Sequence, residues 1–336
     1  MTINIGVIGA GPWGKNHIRV YSNLEDVKLH TISDLNEKWL EKAPENTKTT
    51  KDYKEILNND EIQAVSICTP AATHYSLTKE ALLAGKHVLV EKPLTTKSEQ
   101  AEELVKIAEE KGLTLAVGQI FRFDPSIRKV KEEIEKGTFG KVYSLSLTRM
   151  GLKKPREDAG AIINYAVHDL DIMCDVLNKK YPKEITAITT HPLNREYEDL
   201  AIVSARFEDG TLGYCQVSWL IPKKIREFWL IGEHKSAHID PISFDLEIFD
   251  AGIIPQYEDF GGFKLITKEG PSNKPEIDKK EPLGEEIKHF IECIKENKKP
   301  VISGEVGLRT IKMVEAALIS AKEKKTIYLD EDGNPK

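Results

Sequence analysis

Gly9-Ala10-Gly11-Pro12-Trp13-Gly14 constrains the fold of this chain more than any other segment. It satisfies G-x-G-x-x-G, directly follows the short apolar run Ile3–Ile8, and opens a stretch of helical periodicity from Gly14 to Leu24. Gly9, without a Cβ, permits a tight turn. Gly11 lets backbone approach a pyrophosphate, and Gly14 lets helix and strand pack closely. The helix N-terminus then presents free N–H groups and partial positive charge to that anion. Asp34 closes the next apolar run at the spacing where a carboxylate holds the ribose 2′-OH of NAD. Leu35 and Asn36 supply no arginine for a 2′-phosphate, so NAD is favoured over NADP. The alternative readings are glycines that only shape a turn and a solvated loop aspartate.

The pattern around this turn predicts the architecture. Strands are expected at 3–8, 27–32, 64–68, 87–90 and 113–117, with helices between them ending at Gly85 and Gly112. Short strands alternating with helices make a doubly wound parallel sheet, an α/β Rossmann domain over residues 1–120. Beyond it the periodicity changes. Val142–Thr148 alternates as a half-buried strand, a helix is expected over 162–177, and short hairpin-like strands follow to residue 239. This reads as an α+β domain over 121–304 with a large open, mainly antiparallel sheet. Residues 250–282, rich in Gly, Pro, Asp and Lys, are expected to be irregular with one strand at 263–267. Amphipathic helices are expected over 285–296 and 305–321, and a last strand at 327–329.

Composition excludes several functions. The 336 residues carry 48 Lys+Arg against 54 Asp+Glu, a net charge of −6. A mildly acidic chain has no sequence-wide field for nucleic acid or an anionic membrane. No apolar run approaches the roughly 20 residues of a membrane span. The N-terminus shows no basic region or cleavage site of a signal peptide, so a cytoplasmic protein is expected. Cys68, Cys174, Cys215 and Cys293 are too scattered for a disulfide framework or a zinc site, and no metal is expected.

Two further segments carry chemistry. Glu91-Lys92-Pro93 follows the strand 87–90, at the carboxyl end where open α/β sheets place ligands. A lysine there can bond a substrate hydroxyl; an ordinary solvated lysine is the equal alternative. Asn164 and His168 stand four apart on one helix face, with His168 among Ala, Val, Leu and Ile. A histidine can serve as a general base near neutral pH. The spacing alone favours a satisfied core histidine.

Together these residues resemble the glucose–fructose oxidoreductase / inositol dehydrogenase (Gfo/Idh/MocA) family. The marks are Gly9–Gly14, Thr69-Pro70 with His74, Glu91-Lys92-Pro93, Gly118–Pro125 (GQIFRFDP) and the segment 159–171. The resemblance implies that Lys92 and His168 are the catalytic pair. It implies that Gly9, Gly11, Pro12, Trp13, Gly14, Asp34, Thr69, Pro70, His74, Glu91, Lys92 and Gln119 border the NAD cofactor. Arg122 would border the nicotinamide side or the substrate, and the peptide before Pro93 would be cis. Asn164 stands where the family often has an aspartate, so it can orient a hydroxyl but not accept its proton. The helix 305–321 would pack back on the Rossmann domain. The free face of the second sheet would join a homodimer or homotetramer.

Gly11–His17, GQIFRFDP and 166–171 look most like the nucleotide-sugar branch of the family. That implies oxidation of the C3 hydroxyl of a UDP-sugar, UDP-N-acetylglucosamine first, to a 3-keto sugar for a partner aminotransferase. Independently, Arg149, Lys153, Lys154 and Arg156 precede the His168 segment, and Lys223, Lys224 and Arg226 lie between strands. Local basic clusters in an acidic chain suit a diphosphate; solvated charged loops are the alternative. Arg149, Lys154, Arg156, Arg122 and Asn164 are the candidate substrate ligands. A dehydrogenase of a free sugar or inositol, and a non-catalytic NAD(H) sensor, are the competing functions.

Overall fold

The computed structural model describes residues 2–155, 159–193, 196–258, 262–268 and 270–336, with backbone alone over 253–258, 262–266 and 268. The chain divides into two compact units. The first holds Met1–Phe123 and Glu281–Lys312; the second holds Asp124–Lys280 and Met313–Lys336.

In the first unit, strands β1 (Ile3–Ile8), β2 (Val27–Ser33), β3 (Lys48–Thr50), β4 (Ala64–Ile67), β5 (His87–Val90) and β6 (Leu115–Val117) form a parallel sheet of order β3-β2-β1-β4-β5-β6. Helices α1 (Gly14–Ser22), α2 (Glu37–Leu40), α3 (Lys54–Leu57), α4 (Ala71–Leu83) and α5 (Ser98–Lys111) connect them. Both faces of the sheet are covered, which is why its central strands are continuous apolar runs. One buried cluster gathers Ile5, Val7, Tyr21 and Leu29; the other gathers Val65, Ile67, Leu82, Val90 and Leu104. Gly112 ends α5 at φ +62°, the left-handed conformation that suits glycine.

The second unit begins with α6 (Pro125–Glu135), capped by Asp124, whose Oδ1 accepts from the backbone N–H groups of Ser126 and Ile127. Strand β7 (Val142–Met150) follows, then a π-helical turn (Ile162–Ala166) and α7 (Val167–Val176). Strands β8 (Glu184–Thr190), β9 (Leu200–Arg206), β10 (Leu212–Ser218), β11 (Ile225–Gly232), β12 (Ser236–Asp240) and β13 (Asp245–Phe249) come next. With β16 (Ser272–Asn273) and β17 (Ile327–Tyr328) they form a nine-stranded sheet of order β16-β13-β12-β11-β7-β10-β9-β8-β17. Its described pairings are antiparallel except β7 with β10. One face is apolar and buried through Leu145, Leu147, Val217, Phe228 and Leu230, and Met173 of α7 packs there against Gly213. The opposite face exposes Ile188, Ile202, Tyr214, Trp229 and Ile231.

Two expectations are corrected and one is refined. Residues 250–282 hold more than the one strand expected at 263–267: that strand is present as β15 (Gly262–Lys268), and it pairs antiparallel with an unexpected β14 (Gly252–Glu258), Ile254 opposite Ile266. The Gly, Pro and Lys content hid short apolar runs that can pair.

The second is a refinement: the helix expected over 162–177 is present over Ile162–Val176. Its first turn is π-helical, with the N–H of Ile162 held by the Glu198 carboxylate at 2.8 Å.

The third is the domain boundary. Helix α8 (Pro282–Glu296), placed by sequence within 121–304, belongs to the first unit. Leu283, Ile287, Phe290 and Ile291 make one apolar stripe that joins the cluster around Ile5 and Tyr21. Helix α9 (Gly304–Glu323) is shared between the units, with Lys312 in the first and Met313 in the second. Lys312 pairs with Glu102 at 2.8 Å, whereas Ser320 Oγ accepts from the Ala187 N–H at 2.9 Å.

Candidate active site

The sheet of the first unit brings Gly9, Asp34, Thr69, Glu91, Lys92 and Gln119 to the carboxyl ends of five of its strands. Strand order reverses between β1 and β4, the position at which doubly wound sheets bind ligands. Gly9 has φ +94°, and a Cβ there would lie 2.8 Å from the Cys68 carbonyl oxygen. A Cβ on Gly14 would lie 1.9 Å from the Gly9 carbonyl oxygen. Gly11 differs: a Cβ there would meet nothing within 4 Å. The chain itself demands the outer two glycines, and the middle one keeps the approach to the turn open. Asp34 Oδ2 accepts from the Ala10 N–H at 2.7 Å and Oδ1 from the Asn36 N–H at 2.8 Å. Each oxygen retains a lone pair for a ribose hydroxyl. These residues fit NAD.

The neighbouring loops are braced from below. Glu91 Oε1 accepts from the Trp13 indole and lies 2.9 Å from His17 Nε2, while Oε2 accepts from the Lys92 N–H at 3.2 Å. Glu91 therefore ties the end of β5 to α1. The Lys92–Pro93 peptide is cis, as the resemblance implies. His74 is buried between two carbonyl oxygens, Pro93 at 2.6 Å from Nδ1 and Thr69 at 2.9 Å from Nε2. Carbonyls only accept, so the ring is the donor in these contacts. His74 thus joins the loops after β4 and β5. Pro70 stands at the N-cap position of α4, Gln119 is buried, and Arg122 Nη1 donates to the Val301 carbonyl at 3.0 Å.

Two residues of this layer escaped the sequence reading, His17 and Glu286. Both sit on apolar helix stripes, and a titratable residue at a core position is the signal that was available. Glu286 is fully buried, and neither carboxyl oxygen has a hydrogen-bond partner among the described residues. Burial, reinforced by the Glu91 carboxylate, pushes its carboxyl well above the usual range. Burial likewise raises the Cys68 thiol, with Glu91 and Glu286 adding to the effect.

In the second unit, the π-helical turn carries Asn164 and Tyr165, and α7 carries His168, which is 8% exposed. Asp169, the next residue, is fully buried and accepts from Arg149 Nε at 2.9 Å and Nη2 at 2.7 Å. Arg149 is thus not part of an exposed basic loop: it follows Leu145 and Leu147 on the covered face of β7 and turns inward. Lys154 is exposed, and Arg156 lies outside the described residues. Arg226 lies over the Tyr165 ring, 5.5 Å from its centroid. Trp219 packs edge-on to the same ring and donates to Asp199 at 2.9 Å. Among the described residues no three His, Cys, Asp or Glu side chains group as metal ligands would.

Residues 3–119 match the model of an oxidoreductase family with an NAD-binding Rossmann fold, and 127–238 match the Gfo/Idh/MocA C-terminal domain. The chain belongs to the Gfo/Idh/MocA oxidoreductase family. The first unit of this Gfo/Idh/MocA protein is accordingly an NAD-binding domain, and its relatives include dehydrogenases. UDP-N-acetylglucosamine 3-dehydrogenase of Acidithiobacillus ferrooxidans is 28% identical over 311 residues, covering 91% of this chain and 93% of that protein. A solved structure of that enzyme superposes with a TM-score of 0.81 at 25% identity, covering 96% of this chain and 99% of that one. Myo-inositol 2-dehydrogenase of Thermotoga maritima is 27% identical over 348 residues, covering 98% of this chain and 99% of that protein. No helix among the described residues is long and apolar enough to cross a membrane.

Proposed function

We propose that this Gfo/Idh/MocA protein is an NAD-dependent cytoplasmic dehydrogenase that oxidises the C3 hydroxyl of a UDP-sugar, with UDP-N-acetylglucosamine the first candidate. The observation that carries this reading is likeness in both sequence and fold to the A. ferrooxidans UDP-N-acetylglucosamine 3-dehydrogenase. Bound NAD supplies the hydride acceptor. His168 takes the proton of the sugar hydroxyl as general base. Lys92 donates a charge-assisted hydrogen bond to substrate oxygen and stabilises developing negative charge. Asn164 orients the sugar through its amide. Asp34 holds the adenosine ribose, and the turn Gly9–Gly14 holds the pyrophosphate.

The exposed side chains Ile188, Ile202, Tyr214, Trp229 and Ile231 share one sheet face. We assign that face to contact with a second copy of the chain, as exposed apolar patches mark association. A 3-keto sugar is a substrate for transamination, so an aminotransferase is the fitting downstream partner.

The second reading, oxidation of a free inositol, is favoured by the equal similarity of the T. maritima enzyme. Purified protein with NAD⁺ separates the two when absorbance of the reduced nicotinamide is followed against UDP-N-acetylglucosamine, its uronic acid, UDP-glucose and myo-inositol. A carbonyl trap draws off the unfavourable ketone. Absorbance rising with UDP-N-acetylglucosamine alone supports the proposal. A response to inositol without one to UDP-sugars replaces it.

A further inference from the structure

Arg149 and Arg226 face each other directly across the β7–β11 pair. Both continue the apolar, helix-covered face of their strands, Arg149 after Leu145 and Leu147, Arg226 before Phe228 and Leu230. Like charges directly opposite in a sheet destabilise it. Arg149 is compensated by the buried carboxylate of Asp169. Arg226 has no ion-pair partner among the described residues. Its Nη1 is used by the Met150 and Ile225 carbonyls at 2.6 and 2.7 Å, which pin the guanidinium plane over Tyr165. The guanidinium also hydrogen-bonds the Tyr165 side chain, yet its five N–H donors exceed these uses, and its planar fork suits a planar or tetrahedral oxyanion. Burial, followed by the charge of Arg149, pulls the Arg226 guanidinium below its usual value, so an arriving anion relieves both. The stacked Tyr165 adjoins Asn164 in a π-helical turn, a local widening that recurs at functional sites.

We propose that Arg226, stacked on Tyr165 and opposed by Arg149, is an oxyanion subsite that takes a phosphate group of the substrate. The proposal rests on the UDP-sugar reading for the identity of that phosphate, and goes beyond it in naming the residue that selects nucleotide sugars over free sugars.

Binding of UDP, and separately of inorganic pyrophosphate, is measured by calorimetry on the full chain and on Arg226→Gln, with NADH binding as the check of folding. The expected result is UDP and pyrophosphate affinity lowered at least ten-fold in Arg226→Gln, with NADH affinity retained. UDP bound equally by both proteins overturns the subsite and leaves the UDP-sugar reading standing. Pyrophosphate bound through Arg226 without UDP keeps the subsite and removes the UDP-sugar reading. A wild-type protein that binds neither UDP nor pyrophosphate overturns both. If Arg226→Gln does not fold, Arg226→Lys replaces it. That variant keeps the charge but loses the planar fork, and undiminished pyrophosphate affinity in it refutes the assignment.

Discussion

His17 Nε2 lies 2.9 Å from Glu91 Oε1, and this contact ties the helix of the dinucleotide turn to the strand end that carries Lys92. His17 is fully buried, and its other ring nitrogen has no partner among the described residues. Glu286, also fully buried, lies within the field of the same Glu91 carboxylate. Glu91 therefore links two buried titratable groups, His17 by direct contact and Glu286 through its charge.

Glu286 makes stability depend on pH. Its carboxyl pKa is raised in the folded state, so the native protein keeps a proton that the unfolded chain releases. The stabilisation is fully present below the ordinary glutamate pKa of about 4.3 and falls as pH rises through that value towards the folded one. Glu286→Gln has no proton to release. Thermal unfolding measured from mildly acidic to neutral pH should show the variant gaining on the wild type as pH rises. A pH-independent difference would refute the assignment.

Asp34 should govern cofactor affinity. Removing a carboxylate that accepts charge-assisted hydrogen bonds typically loses about 1.5–3 kcal/mol, or roughly ten-fold or more in binding. Asp34→Ala should weaken NADH in a fluorescence titration by that amount and narrow its advantage over NADPH. Equal NADH affinity in the two proteins would remove Asp34 from the site.

The buried Arg149–Asp169 pair should be unforgiving of single changes. Replacing one partner leaves the other charge buried and uncompensated, a loss of about 3–5 kcal/mol. Asp169→Asn should lower the unfolding free energy in denaturant by that order. The double variant Arg149→Met/Asp169→Leu should recover much of it. A double variant no more stable than Asp169→Asn would argue against charge burial as the cause.

His168→Ala should reduce turnover about 10²–10⁴-fold, the usual contribution of a positioned general base. Its NADH affinity should remain at the wild-type value. Unchanged turnover on an active substrate would exclude His168 from proton transfer.

Particular residues show where sequence reading stopped. The amphipathic stripe Leu283, Ile287, Phe290 and Ile291 marked α8 as a helix with a buried face, but not which core would bury it. Contact with the cluster around Ile5 assigned it to the first unit. The sequence neighbours of Arg149 point to a basic loop. Its alternation with Leu145 and Leu147 was the better guide, since a strand's period of two sends all three to one face.

What the sequence alone determined is local: the strand, the glycine turn, the helix and the carboxylate of Asp34. Steric exclusion at Gly9 and Gly14, and the rise of strands and helices, act over a few residues and are written in their spacing. The tertiary structure decided which charges meet. Glu91 and His17 are 74 residues apart, and Arg149 faces Arg226 only because β7 and β11 are neighbours in that register. A charge's partner depends on strand order and burial together, and neither is carried by the residues beside it.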